Sequence, residues 1–132
     1  MPEKNNQQTV FLYDDPDCPI RRLASEVGSK WQMLTVFALA CGPVRHNQLL
    51  DRIEGISPKM LSSTLKSLQR DGFINRIAYP AVPPHVEYSL TEIGKGLLHH
   101  LNNLVQWNYN HLDEIKAAQE TFDMEKNKIR IG

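Results

Sequence analysis

Apolar residues recur at helical spacing near the start of the chain, between residues that typically begin and end helices. Pro19 stands in the first turn of one predicted helix, where its missing N–H costs nothing, and Gly28 ends that helix. Ser29 and Gln32 then have the spacing of a capping box, in which each side chain bonds a free backbone N–H of the other residue. The helix that they begin runs to about Cys41 and is apolar on nearly all sides, so we expect it in the centre of the fold.

The next two predicted helices are short and close together. One is predicted over residues 47–53 and the other over residues 57–71, where Ser57 is the N-cap, Pro58 takes the first helical position and Gly72 follows the end. Gly55 stands in the turn between them. Two short helices joined by a turn of a few residues that contains glycine are typical of a helix-turn-helix.

Two stretches with β-strand composition follow. Residues 73–79 and 86–90 are rich in β-branched and aromatic side chains, and three prolines lie between them, which predicts a hairpin with a stiff, projecting tip. Thr91 then caps a long helix, whose apolar residues recur close to helical spacing: Ile93, Leu97, Leu101, Leu104, Val105, Leu112 and Ile115. This order of elements predicts a winged helix-turn-helix, a mainly α fold (α+β) with a small β-hairpin wing.

The whole chain, residues 1–132, is predicted to form a single domain. Within it we expect N-terminal core and dimerisation helices at 17–41, the helix-turn-helix and wing at 44–90, a C-terminal dimerisation helix at 91–120 and a frayed polar tail at 121–132. A length of 132 residues suits one compact core. An apolar fraction of 41% and a charged fraction of 23% are those of an ordinary globular protein.

Charge and hydropathy give no indication of a membrane protein or a secreted protein, and they neither indicate nor exclude nucleic-acid binding. The net charge is zero, so the total gives no indication of nucleic acid, although the middle of the chain is mildly basic. No apolar run approaches the roughly 18 residues that a membrane helix needs, and the first residues lack the apolar core of a signal peptide. We therefore expect a cytoplasmic protein without a membrane partner. Two cysteines are too few for a disulfide framework.

The helix predicted over residues 57–71 has one apolar and one basic side. Leu61, Leu65 and Leu68 fall within roughly 60° of one another, since each residue advances about 100°, and they form the buried stripe. The outward side of the helix, opposite and beside that stripe, has cations and small hydroxyl residues without a carboxylate: Lys59, Ser62, Ser63, Lys66 and Arg70. Such residues suit phosphates, guanine edges and entry into a DNA groove. A solvated basic surface is the alternative for this helix alone, but the preceding turn and the following wing favour DNA recognition.

Four further residues are candidate DNA contacts outside that helix. Arg76 lies on the first predicted strand of the wing, and His85 lies near the tip, where neighbouring prolines lower the entropy lost on binding. Arg45 and His46 precede the helix predicted over residues 47–53, near the place where that helix would cross the phosphate backbone.

Five segments carry a specific pattern: CPI at 18–20, GSKW at 28–31, GISPKML at 55–61, DGFI at 71–74 and YPAVPPHVEYSLTEIG at 79–94. In order and spacing they are similar to the HxlR-type family of bacterial transcription regulators, over about residues 18–107. The resemblance implies a winged-helix homodimer that binds double-stranded DNA at a palindromic operator, with repression as the expected outcome. It also implies dimerisation through the first and last helices. Two positions depart from the family pattern, since His46 stands in place of an aromatic residue and His85 in place of a frequent arginine.

The same resemblance implies a role for Cys18, because one subgroup of the family senses electrophiles or oxidants through a cysteine at the start of the first helix. The dipole at a helix N-terminus favours the thiolate, whereas Asp14, Asp15 and Asp17 would repel it. The sequence leaves two alternatives for Cys18, a reactive thiol and an unreactive one. Cys41, at the end of an apolar helix, is expected to be a buried packing residue.

Nothing else in the sequence indicates catalysis, a cofactor or a metal. We find no nucleophile paired with a base, no glycine-rich phosphate loop and no zinc-ligand spacing, so we do not expect an enzyme. His99, His100 and His111 are expected at the surface or in a dimer interface. Two alternatives to a thiol-controlled DNA-binding regulator stay open. One is a winged-helix module for protein interaction, and the other is a regulator whose small apolar effector binds between the first, second and last helices.

Overall fold

The computed structural model describes residues 29–131, in which five helices and three strands form. The helix predicted before Gly28, and Cys18 with it, lie outside the described residues. The chain divides into two compact units between Leu98 and His99. The first unit holds the helix-turn-helix and the sheet, and the second holds the C-terminal helices.

The elements of the first unit follow the winged-helix order. They are α1 (Lys30–Ala38), β1 (Val44–Arg45), α2 (His46–Arg52), α3 (Pro58–Arg70), β2 (Ile74–Tyr79), β3 (His85–Leu90) and the beginning of α4 (Glu92–Asn110). The strands form one antiparallel sheet in the order β1-β3-β2, in which β2 and β3 are the wing. The predicted fold is therefore confirmed, with a short third strand that the sequence pattern did not indicate.

Helix α3 packs its apolar side against the rest of the first unit. Leu61, Leu65 and Leu68 are buried, as their spacing predicts, and Thr64 is buried beside them. The other fully buried side chains come from α1, the residue after it and α2: Thr35, Val36, Leu39 and Leu49. At the start of α3 the Ser57 Oγ accepts a hydrogen bond from the Met60 N–H at 3.0 Å, so this N-cap is also confirmed.

The capping box expected at the start of α1 is wrong. Ser29 is the N-cap, but its side chain caps no N–H, and the Gln32 amide points into the protein. Gln32 Nε2 donates to Ser67 Oγ at 3.0 Å, because a buried amide needs a partner inside the core. Helix α1 also ends at Ala38, earlier than expected, and the Cys41 thiol is exposed where a buried packing residue was expected.

Helix α2 begins at His46, one residue before the predicted start. Val44 and Arg45 are held extended by pairing with β3, so the helix can begin only after them. The Arg45 N–H donates to Gln48 Oε1 at 3.3 Å, which satisfies one of the free N–H groups at the helix start. The turn between α2 and α3 contains Gly55, whose φ of +86° favours glycine.

Thr91 joins the wing to α4 through both its backbone and its side chain. Its Oγ1 donates to the Gly72 carbonyl at 2.6 Å and accepts from the Gly94 N–H at 3.0 Å. Its backbone N–H donates to the Phe73 carbonyl at 3.0 Å. Gly94 is buried against that same carbonyl, and a Cβ on Gly94 would overlap the Phe73 oxygen. The first turn of α4 therefore requires glycine at this position.

The second unit contains the rest of α4 and helix α5 (Leu112–Ile131). One continuous apolar helix was expected, but the helix is interrupted at His111, whose Nδ1 lies 2.8 Å from the Trp107 carbonyl oxygen. The frayed tail expected after residue 121 is instead helical as far as Ile131. Residues 112–131 contain no glycine or proline and are rich in Ala, Glu, Gln and Lys, which have high helix propensity. No helix in the described part is long and apolar enough to cross a membrane.

Candidate nucleic-acid interface

Helix α3 presents two adjacent polar stripes on its exposed side. Lys59, Ser63 and Arg70 lie opposite the buried leucines, and we call these three residues the outer stripe. Ser62, Lys66 and Gln69 follow at i, i+4 and i+7, and we call these the groove stripe. Lys59, Ser62, Ser63, Lys66 and Arg70, the α3 residues singled out from the sequence, are all exposed.

The groove stripe forms one wall of a concave surface, which we call the wing groove. Its volume is about 860 Å³, and the start of α2 and the wing form its other walls. Four residues at β1 and the start of α2 line it together with the groove stripe and the wing: Arg45, His46, Asn47, Gln48, Ser62, Lys66, Gln69, Arg76, Pro83, Pro84, His85, Val86 and Tyr88.

Positive charge converges on this groove from three different elements. Arg45 comes from β1, Lys66 from α3 and Arg76 from β2, and no aspartate or glutamate is among the lining residues in the described part of the chain. Clustered cations in a concave surface raise the local positive potential and attract anions. The wing groove is therefore an anion-attracting surface on a chain of zero net charge.

The chemistry of two groove histidines depends on their neighbours. The His85 ring stacks on Tyr79 with ring centroids 4.8 Å apart, and its Nε2 lies 3.5 Å from Glu87 Oε2. The His46 ring lies 6.1 Å from Tyr88 and is tilted by 47°. The His85 side chain is 22% exposed, so part of the ring is open to a ligand in the groove.

A model of the HxlR-like helix-turn-helix family matches residues 26–116 of the chain. The chain belongs to this family. The HTH-type transcriptional regulator YtfH of Escherichia coli strain K12 is 44% identical over 103 residues, which cover 78% of this chain and 82% of YtfH. This HxlR-like chain is thus a helix-turn-helix transcriptional regulator, and α2 and α3 are the two helices of the motif.

Solved structures of similar proteins share the fold. The transcriptional regulator ytfH from Salmonella typhimurium aligns with a TM-score of 0.72 at 39% identity, covering 82% of this chain and 96% of that one. The oxidised form of the redox regulator HypR aligns with a TM-score of 0.65 at 32% identity, covering 70% of this chain and 96% of HypR. The winged-helix architecture of this HxlR-like regulator is therefore shared with regulators of known structure.

The structure brings together six of the residues singled out from the sequence of this HxlR-like regulator. They are the ones that line the wing groove: Arg45, His46, Ser62, Lys66, Arg76 and His85. Lys59, Ser63 and Arg70 lie on the neighbouring outer stripe instead. The sequence reasoning missed Asn47, Gln48 and Gln69. A helical wheel would have found Gln69, which stands three residues after Lys66 on the same side of α3.

Among the described residues, no other ligands join the histidines of α4 and its end in a metal site. His99 and His100 lie with ring centroids 5.5 Å apart, and the His111 ring stacks on Trp107 at 4.7 Å. Within residues 29–129, no group of three or more His, Cys, Asp or Glu side chains could hold a metal ion.

Proposed function

We propose that this HxlR-like regulator binds a palindromic double-stranded DNA operator as a homodimer and represses transcription there. Helix α3 enters the major groove, its outer stripe and Lys66 meet bases and phosphates, and the wing meets the neighbouring backbone. A helix-turn-helix dimer binds two half-sites about one helical turn apart, so the two-fold symmetry of the protein is matched by that of the operator.

The observation that carries the proposal is the meeting of Arg45, Lys66 and Arg76 in one groove beside α3. The chain has zero net charge, so this local charge is not a consequence of a generally basic surface. Cations on both walls of a groove attract a polyanion that runs across it, as a DNA backbone does. If α3 had only a solvated basic surface, there would be no reason to expect cations from β1 and β2 beside it.

Exposed apolar residues on the second unit support the homodimer. Leu104, Val105 and Trp107 are each more than half exposed, and Leu101 beside them is buried. Neighbouring large apolar side chains that are left exposed on a single chain mark an interaction surface. The C-terminal helices of a second copy would cover them, as the family resemblance implies.

Salt-dependent binding to the DNA upstream of its own gene tests the proposal. A dimer that makes six to ten phosphate contacts should lose about 10³- to 10⁵-fold in affinity between about 50 and 200 mM salt. We expect a specific complex that survives excess non-specific competitor, and light scattering on the same sample should give the mass of a dimer. Absence of a specific complex on this DNA and on selected genomic fragments would instead favour a protein-interaction module.

We propose further that oxidants control this regulator through Cys18. Two points support this proposal: the redox regulator HypR is a structural neighbour, and the family resemblance implies a sensing role for a cysteine at the position of Cys18. Two Cys18 thiols, one from each subunit of the proposed dimer, would give two protons and two electrons to diamide, which becomes its hydrazine, and would join in a disulfide. This cross-link would change the spacing of the two recognition helices.

Diamide should weaken the specific DNA complex of the wild-type protein and leave that of Cys18→Ser unchanged. The matched variant is Cys41→Ser, because the Cys41 thiol is exposed and would also react if exposure alone decided the response. We expect Cys41→Ser to respond as the wild type does, in a gel-shift titration with and without diamide. A response that persists in Cys18→Ser would exclude Cys18 as the sole sensor.

A further inference from the structure

We infer that His85 is a proton-dependent phosphate contact, held in place by Tyr79 and Glu87, so that this regulator binds DNA more tightly as the pH falls. The inference rests on the proposed DNA binding and adds to it a regulatory signal and two positioning residues. It concerns the wing of this chain, where a histidine follows two prolines in sequence and lines the groove with them.

The geometry fixes the direction in which the His85 ring faces. Tyr79 and His85 are directly paired across β2 and β3, and their rings stack with an interplanar angle of 21°. Glu87, two residues further along β3, lies on the same face of the strand, with its Oε2 3.5 Å from His85 Nε2. A ring that stacks on an aromatic residue and lies next to a carboxylate is restrained in its position beside the groove.

The charges that face His85 decide how protonation acts on DNA binding. Glu87 contacts the ring, and Arg45, His46, Lys66 and Arg76 line the same groove from β1, α2, α3 and β2. Of these residue types, only histidine ordinarily changes its charge between pH 6 and pH 8. When a phosphate backbone enters the groove, its negative charge makes a protonated His85 favourable.

DNA binding should therefore take up a proton from solvent at each His85, and a dimer has two. By linkage, the affinity must rise as the pH falls through the range in which histidine gains its charge. We expect binding about tenfold tighter at pH 6 than at pH 8. The salt dependence should also steepen at pH 6, by about 1.8 in the slope of log affinity against log salt, because two more cations face phosphates.

Two variants of His85 with opposite expected outcomes test this on the full-length protein and its operator. His85→Gln should bind at pH 6 and pH 8 with the weaker affinity that the wild type shows at pH 8. His85→Arg should bind at both pH values with the tighter affinity that the wild type shows at pH 6. His99→Gln is the matched control, since His99 is exposed on α4 outside the groove, and it should keep the pH dependence of the wild type.

Variants of Tyr79 test whether this residue positions His85 or only stabilises the wing. Tyr79→Leu removes the stacking partner of His85 and should reduce the pH-dependent part of the affinity. Tyr79→Phe keeps an aromatic ring at this position and should keep the pH dependence of the wild type.

Wild-type binding that is equal at pH 6 and pH 8 would overturn the inference and leave the proposed DNA binding intact. A pH dependence that survives in His85→Gln would overturn it as well and point to His46. Absence of specific binding at both pH values would overturn the proposed function itself.

Discussion

Replacing Lys59 and Lys66 by alanine together should weaken operator binding about a thousandfold at 0.15 M salt. Each lysine that meets a phosphate contributes about 0.9 to the slope of log affinity against log salt, and a dimer loses four such contacts. Lys66 stands in the groove stripe and Lys59 in the outer stripe, so the pair removes charge from both exposed sides of α3. A fluorescence anisotropy titration over a range of salt concentrations measures both the affinity and the slope.

The matched control removes two lysines elsewhere. Lys126→Ala with Lys128→Ala changes the net charge by the same amount on α5, where both side chains are exposed. We expect operator affinity to change by less than about threefold in this control, because its charges lie outside the wing groove. Both double variants should stay dimeric by light scattering. Equal losses in the two variants would mean that total charge, and not the surface of α3, governs binding.

Gly94→Ala should lower the free energy of unfolding by about 1–3 kcal/mol, the range expected for overpacking a buried site. The added Cβ would overlap the Phe73 carbonyl oxygen, which accepts the Thr91 N–H at 3.0 Å. Either α4 or the start of β2 must shift, and the hydrogen bonds that Thr91 makes with Gly72 and Gly94 would weaken with it. The same methyl group therefore disturbs both the end of the wing and the start of the last helix.

Gly96 offers a control two residues further along the same helix. A Cβ at Gly96 meets nothing within 4 Å, so Gly96→Ala replaces a flexible exposed helical residue by a better helix former. We expect it to be neutral or to stabilise the protein by about 0.5–1 kcal/mol. Chemical denaturation of the two variants at one protein concentration makes the comparison. Equal stabilities for Gly94→Ala and Gly96→Ala would contradict the steric argument.

The helix-turn-helix was predictable because its signals are local. Ser57, Pro58 and Gly72 mark the two ends of α3 within sixteen residues of sequence, and the spacing of the leucines between them indicates the buried side. The wing was predictable for the same reason, since two β-like stretches flank a loop rich in proline. The family motifs confirm both elements and lie in the same segments.

The groove and the interior hydrogen bonds were not predictable from local patterns. Gln32 satisfies a capping pattern within four residues, yet its amide bonds Ser67, which stands 35 positions away. Arg45, Lys66 and Arg76 meet only because β1, α3 and β2 are brought together by tertiary packing. The continuation of α5 beyond residue 121 is favoured by residues of high helix propensity, which a search for an apolar stripe does not detect.

The two residues of β1 have a consequence for engineering wings with new DNA preferences. Val44 pairs with Tyr88 and Arg45 with Glu87, so the two residues immediately before α2 are paired with the central strand of the sheet, β3. A wing exchanged between relatives as an isolated hairpin would bring a new β3 against the old β1 and lose their side-chain fit. Residues 44–48 and 74–90 should therefore be exchanged together. Such an exchange preserves the pairing of β1 with β3, and with it the angle between the recognition helix and the wing within one protomer.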